Sequence, residues 1–302
     1  MDPIHLETLR TVHERGGVTA AASALHLTPS AVSQQLKVLG REAGVPLTER
    51  VGRGLRLTPA GAALAERAVD VAVALRRAEA ACDEFVARPT GTVRVAAFQS
   101  AAQMLLPGVL TRLGAHPGID VEVEDQDVAQ ADFPALTADF DIVVAHRPDA
   151  SQGWGAAVRT VPLLREPLDV ALPPGHRLAD RGTLTPADLV DEAWITVREG
   201  FPVAAVLAAI GHVAGAAPRV VQRINDFHVV EALVAQGHGV SLLPRYTADT
   251  RDGRRFTLVP LAGVAASREI DALLRPDRAE RLVVQRVLAV LVGEAERIRG
   301  RG

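Results

Sequence analysis

Apolar residues recur along this chain in two textures, and the texture changes once. Up to residue 88 the spacing is helical. Leu6, Leu9 and Val12 share one face of a helix over residues 5–15, which Gly16-Gly17 ends. An Ala-rich stretch, residues 19–25, predicts a second, short helix. Over residues 30–41, Val32, Leu36 and Leu39 fall on one face. Ser30, Ser33, Gln34, Lys37 and Arg41 fall on the other. Thr28 as N-cap and Pro29 as first helical residue set the start of that helix. Residues 47–58 read as a two-stranded ribbon with Gly52 and Gly54 at its tip.

Residues 59–88 read as one long helix. Leu64, Ala68, Val71, Leu75, Ala78, Cys82 and Phe85 step along it by alternating fours and threes, a heptad seam. Such a stripe needs a cover. It either packs on the chain's own C-terminal part or on a second copy, and a straight seam suits another straight helix. Past the linker Pro89-Thr90-Gly91 the texture becomes that of strands between helices. The strand candidates are TVRVAA, IDVEVE, DIVVA, LDVAL, WITV, RVVQRI, GVSLL, FTLVPL and REIDALLR. Helices are predicted over residues 101–113, 128–136, 203–213 and 227–235, with a last one from Asp277. Short apolar runs between helical patterns predict parallel α/β structure, with more than 200 residues available for two subdomains.

With 302 residues, 48% hydrophobic and 23% charged, the chain has material for two or three globular domains. Aromatics, at 3%, are too few for a stacking platform on single-stranded nucleic acid. The single cysteine, Cys82, excludes an internal disulfide or a zinc–thiolate cluster. The start, MDPIHLETLR, lacks an export pattern and no apolar run reaches membrane-spanning length, so a cytoplasmic protein is expected. Histidines are dispersed, without HExxH, a P-loop, a G-x-S-x-G elbow or a G-x-G-x-x-G turn. No metal, cofactor or catalytic residue is therefore expected.

Charge is uneven. Lys37, Arg41, Arg50, Arg53 and Arg56 stand against Glu42 and Glu49, a local +3 (five minus two) in a chain of net charge −3. The polar face of residues 30–41 carries hydroxyls, an amide and cations but no carboxylate. Such a face can donate to phosphates and base edges. Two short helices, a tight turn and a basic ribbon fit a winged helix-turn-helix.

The segment AAASALHLTPSAVSQQLKVLGREAGVPLTERVGRGLRLTPAG resembles LysR-type transcriptional regulators. LLPGVL, GHRLA, LVAQGHGVSLLP and the final helix extend the resemblance over essentially the full length. Two positions depart from the pattern. Gly40 replaces the acid usual near the end of the recognition helix, and Thr48 replaces an aromatic. The resemblance implies α/β architecture behind an all-α/winged head. Residues 1–58 would form the winged helix-turn-helix and 59–88 the linker or dimerisation helix. Residues 91–302 would form two α/β subdomains like those of periplasmic binding proteins (91–161 with 268–302, and 162–267), with crossings near 161–164 and 263–268. The implied function is that of a regulator, not an enzyme. A small effector between the subdomains would control oligomer geometry on double-stranded DNA. The partners would be a homodimer or homotetramer copy, RNA polymerase, and no membrane. A solute-binding module with an inactive head is the alternative, against which the absent export signal speaks.

For DNA, Ser30, Ser33, Gln34 and Lys37 are expected at bases or nearby phosphates. Arg50 and Arg53 would serve the wing, and Thr28 and Arg41 a phosphate or the local structure. For the effector, strand ends and helix starts of α/β sheets face the crevice. They offer Gln99 and Ser100, His146 and Arg147, Arg198 and Phe201, and Phe227 and His228. Free amides at a helix start suit an anionic or zwitterionic metabolite.

Overall fold

The structure, a computed structural model, describes residues 1–51, 54–83, 89–149 and 152–300. Gly52, Arg53 and Phe85 lie outside the described residues. The chain divides into two compact units. One is Met1–Pro89 with Arg275–Gln285, and the other is Thr90–Leu274 with Arg286–Gly302.

In the first unit, helix α1 (Pro3–Glu14) starts at Asp2, whose carboxylate accepts from the Ile4 N–H at 2.8 Å. Helix α2 (Val18–Ala24) turns through His26, at φ 54°, into α3 (Pro29–Ala43). Thr28 caps α3 as expected, its Oγ1 accepting from the Ala31 N–H at 3.1 Å. Gly44, left-handed, ends it. Strands β1 (Thr48–Val51) and β2 (Gly54–Leu57) form the antiparallel ribbon. Thr58 then starts α4 (Pro59–Asp83), accepting from the Gly61 N–H at 3.0 Å and donating to the Pro46 carbonyl at 2.8 Å. A Cβ on Gly61 would collide with the Leu47 carbonyl oxygen. Only glycine lets α4 touch the ribbon's backbone there.

Val32, Leu36 and Leu39 are buried with Leu6, Leu9 and Val12, as their spacing predicts. The α4 seam divides. Leu64 and Ala68 join this core, whereas Val71 (38%) and Leu75 (44%), then Ala78 and Cys82, are exposed. Arg10 is buried on the same unit. It is paired with Glu7, with Asp277 at 3.2 Å and with Glu14 at 3.8 Å. Burial alone would lower the Arg10 pKa, but these carboxylates outweigh it and raise it. Asp277 shows the converse. Burial would raise its carboxyl, and the Arg275 and Arg10 cations hold it below the ordinary range.

The second unit holds β3 (Gly91–Ala97), α5 (Gln99–Leu113), β4 (Ile119–Asp125), α6 (Phe133–Leu136), β5 (Ile142–Pro148) and β6 (Arg159–Leu172). β7 (Ala193–Thr196), α7 (Pro202–Ala214), β8 (Arg219–Arg223), α8 (Phe227–Ala235), β9 (Ser241–Pro244), β10 (Thr257–Val259) and β11 (Ser267–Leu274) follow. Helix α9 (Leu282–Arg299) ends the chain and buries Val287, Leu291 and Ala295. The main sheet runs β10-β6-β11-β5-β3-β4, with β9 also on β6; β7 and β8 form a parallel pair.

Four expectations are corrected. The main sheet is mixed. β3 runs parallel to β4 and β5, but β11 is antiparallel to both β5 and β6, because it returns from the second subdomain. β6 follows β11 as far as Pro167 and pairs with β9 from Leu168, so the first crossing lies after residues 161–164, not within them. The helix expected over 128–136 shrinks to α6 after one tight turn at Gln130–Asp132. α9 begins at Leu282 rather than Asp277. Asp277 is held by Arg10 and Arg275, and Arg281 is extended.

Candidate DNA interface and effector cleft

α3 presents a polar face because its apolar positions are used up by the core. Ser30, Gln34, Lys37 and Arg41 are exposed and Ser33 is half-buried. The Ser33 hydroxyl donates its proton to the Pro29 carbonyl at 2.8 Å, so it remains an acceptor only. Thr28 Oγ1 is spent on the cap and on Ser30 Oγ at 2.9 Å, so its role in the fold is structural. Among the described residues no carboxylate pairs with Lys37 or Arg41, and Glu42 is drawn to the N-terminal ammonium at 3.6 Å. On the ribbon, Arg56 sits opposite Glu49 and Arg50 opposite Leu55. Cross-strand partners share a face, so the two arginines point to opposite sides. Arg50 stands free of a facing acid.

The cleft of the second unit lies where β3, β5, β7 and β8 end and α5, α7 and α8 begin. Gln99, Ser100, His146, Phe201 and Phe227 line it together with Asp127, Asn225 and Arg268. Its volume is about 20 Å³, room for roughly one water. Hydrogen bonds close it. Gln99 Nε2 donates to Asp226 Oδ1 at 3.5 Å and meets His228 Nδ1 at 3.3 Å, and Asn225 Nδ2 donates to Asp127 Oδ2 at 3.0 Å. Burial would raise the Asp226 carboxyl, yet the His228 N–H and Gln99 hold it below its ordinary value.

Arg268 anchors the floor. It is buried, gives two donors to Glu166 Oε2 (2.8 and 2.6 Å) and one to Ser100 Oγ (2.8 Å), and lies 5.0 Å from the centre of the Phe98 ring. Glu166 Oε1 and His146 Nδ1 are buried without a hydrogen-bond partner. His146 stacks edge-on to Phe98 and Phe133. Burial first, and then Arg268, push its pKa down from 6.5 to about 3, so the ring is neutral.

The helix-turn-helix model of bacterial regulatory proteins of the lysR family matches residues 4–62, and the LysR substrate binding domain matches residues 86–296. The chain belongs to the LysR family of transcriptional regulators. It is 28% identical over 295 residues to the transcriptional dual regulator GltC of Bacillus subtilis, covering 93% of this chain and 92% of GltC. Its fold is similar to that of a full-length OxyR point variant from Pseudomonas aeruginosa, with a TM-score of 0.66, 21% identity and coverage of 98% and 95% of the two chains. It is also similar to full-length CbnR solved in complex with target DNA, with a TM-score of 0.51, 22% identity and coverage of 98% and 100%. LysR-family members are DNA-binding regulators with an effector domain, not enzymes. No helix of the described residues is long and apolar enough to cross a membrane.

Against this LysR architecture the expected effector residues separate. Gln99, Ser100, His146, Phe201 and Phe227 converge on the cleft. His228 and Arg198 stand at its exposed rim, Arg198 lying 5.6 Å from the Phe201 ring centre and 4.0 Å from Asp127. Arg147 does not reach it. Successive strand residues face opposite sides, and its Nε donates to buried Asp271 at 2.8 Å, an acceptor shared with Trp154. Arg268, Glu166, Asn225 and Asp127 escaped the sequence reading. Arg268 closes the segment already expected to cross between subdomains, and an arginine in an apolar strand was the available signal.

Proposed function

We propose that this chain is a sequence-specific regulator in which α3 enters the operator's major groove and a small anionic or zwitterionic ligand in the Arg268 cleft sets the spacing of the DNA heads. Ser30, Ser33, Gln34 and Lys37 make the groove contacts, and Arg41 and Arg50 take backbone phosphates. The observation that carries this reading is the acid-free polar face of α3, on which Ser30, Gln34, Lys37 and Arg41 are exposed. The open half of the α4 seam, bounded by a groove of about 470 Å³ between α1 and α4, suits a second copy of α4. A dimer so formed reads a two-fold operator. In the cleft, Ser100 and the start of α5 offer donors to a carboxylate beside the Arg268 charge. The ligand separates Gln99 from Asp226 and His228 as it enters, because the closed cleft has no room for it. That separation is the change passed to the heads.

Lys37→Ala tests the first step. Anisotropy titrations on the chain's own upstream DNA are expected to show weaker binding, with a salt slope lower by about one unit. An unchanged slope removes Lys37 from the interface.

A further inference from the structure

A second cavity in the second unit is far larger than the cleft. It holds about 620 Å³, within the 300–1,000 Å³ typical of small-molecule sites. Ala204, Leu207 and Ala208 of α7 form one wall, and Pro218 and Val220 form another. The polar lining is sparse, consisting of Gln130, Thr196, Glu199 and Arg223. Two of these are brought together by strand register. Thr196 of β7 pairs with Arg223 of β8 in the parallel ladder, so their side chains stand side by side on one face. The Thr196 hydroxyl is buried and has no hydrogen-bond partner. Arg223 is exposed at the cavity's edge and has no side-chain hydrogen bond or ion pair among the described residues. Buried hydroxyls are normally satisfied, and an orphan next to an unpaired guanidinium marks a place for an acceptor.

We propose that this cavity is a ligand site separate from the Arg268 cleft, and that it takes an apolar monocarboxylic acid. The carboxylate accepts from Arg223 and from the Thr196 hydroxyl, and the apolar body lies against the alanine face of α7. Glu199, in the exposed turn before α7, disfavours a second negative charge, which selects monoacids over diacids. Phe201 and Val197 line both cavities. A ligand here therefore packs on the ring that also closes the cleft.

Calorimetric titration of the full-length protein, without DNA, compares 4-phenylbutyrate with its neutral amide, 4-phenylbutanamide, and with 4-phenylbutylamine. The acid is expected to bind best. Arg223→Gln is expected to weaken it at least about tenfold, the loss of a charge-assisted bond. Ala208→Trp is expected to abolish binding by filling the cavity. Absence of acid binding overturns the proposal. So does equal affinity for the amide or the amine, or acid binding that survives both substitutions. If Ala208→Trp does not melt cooperatively, Arg223→Gln and Thr196→Val decide. DNA plays no part in this readout, so failure here leaves the operator-binding reading standing, and loss of operator binding leaves this one standing.

Discussion

The outer face of α3 and the floor of the cleft use the same kinds of side chain in opposite ways. On α3, Lys37 and Arg41 stand in solvent with no acid beside them, and Gln34 is exposed. In the cleft, Arg268 is buried and its donors are committed to Glu166 and Ser100. The first arrangement adds little to stability and leaves its chemistry free for a partner. In the second, the donors are already taken by neighbours within the fold, and removing one partner alone leaves a buried charge unpaired. The exposed charges of α3 are solvated, whereas the buried charge of Arg268 is balanced by a counter-ion within the fold.

The sharpest way to break this contrast is at the floor. Arg268→Ala leaves Glu166 buried and unpaired, and is expected to destabilise the protein by about 3–5 kcal/mol in chemical denaturation. The double change Arg268→Met with Glu166→Leu should recover most of that stability while losing ligand response. On the other side, Gln34→Ala is expected to cost about 1–3 kcal/mol of operator affinity with the melting temperature nearly unchanged. A large drop in melting temperature would make the face structural.

The neutral His146 separates the regions by pH. Its folded pKa, about 3, lies below the unfolded 6.5. Between those values the unfolded chain binds a proton that the fold does not. The contribution is complete above about pH 6.5 and is lost as pH falls towards 3, with a slope of up to about 1.4 kcal/mol per pH unit. His146→Met should flatten that limb in denaturant titrations at pH 4–6.5, without moving the DNA head. The smallest effect lies in α3 itself. A Cβ on Gly40 would meet the Val45 carbonyl oxygen at 3.4 Å, an ordinary contact. Gly40→Ala should therefore stabilise the protein by about 0.5–1 kcal/mol, raising the melting temperature and leaving operator affinity alone.

Legibility in the sequence followed the range of the interactions. α3, its cap and its two faces were readable because a helix repeats every 3.6 residues and Thr28 and Pro29 mark its start locally. The fate of the α4 seam was half readable. The heptad showed which residues are apolar, but only the fold showed that Leu64 and Ala68 serve the core while Val71 and Leu75 stay open. At the cleft, strand ends pointed to Ser100, His146 and Phe227, and the structure brings these three together along its lining. Arg147 was misplaced because one residue of strand register reverses the side, and register belongs to the pairing with β11.

What the amino-acid order determined by itself was therefore the set of elements, the polar face of α3 and the family's domain sequence, all of which follow from neighbours within one or two turns. What only the tertiary structure decided was which charges meet. Glu166 and Arg268 are brought together by two crossing strands and Ser100 by the start of α5, and Arg10 meets Asp277 across most of the chain. No local period encodes such pairs. They form because burying one charge requires another of opposite sign, and the fold alone supplies the address.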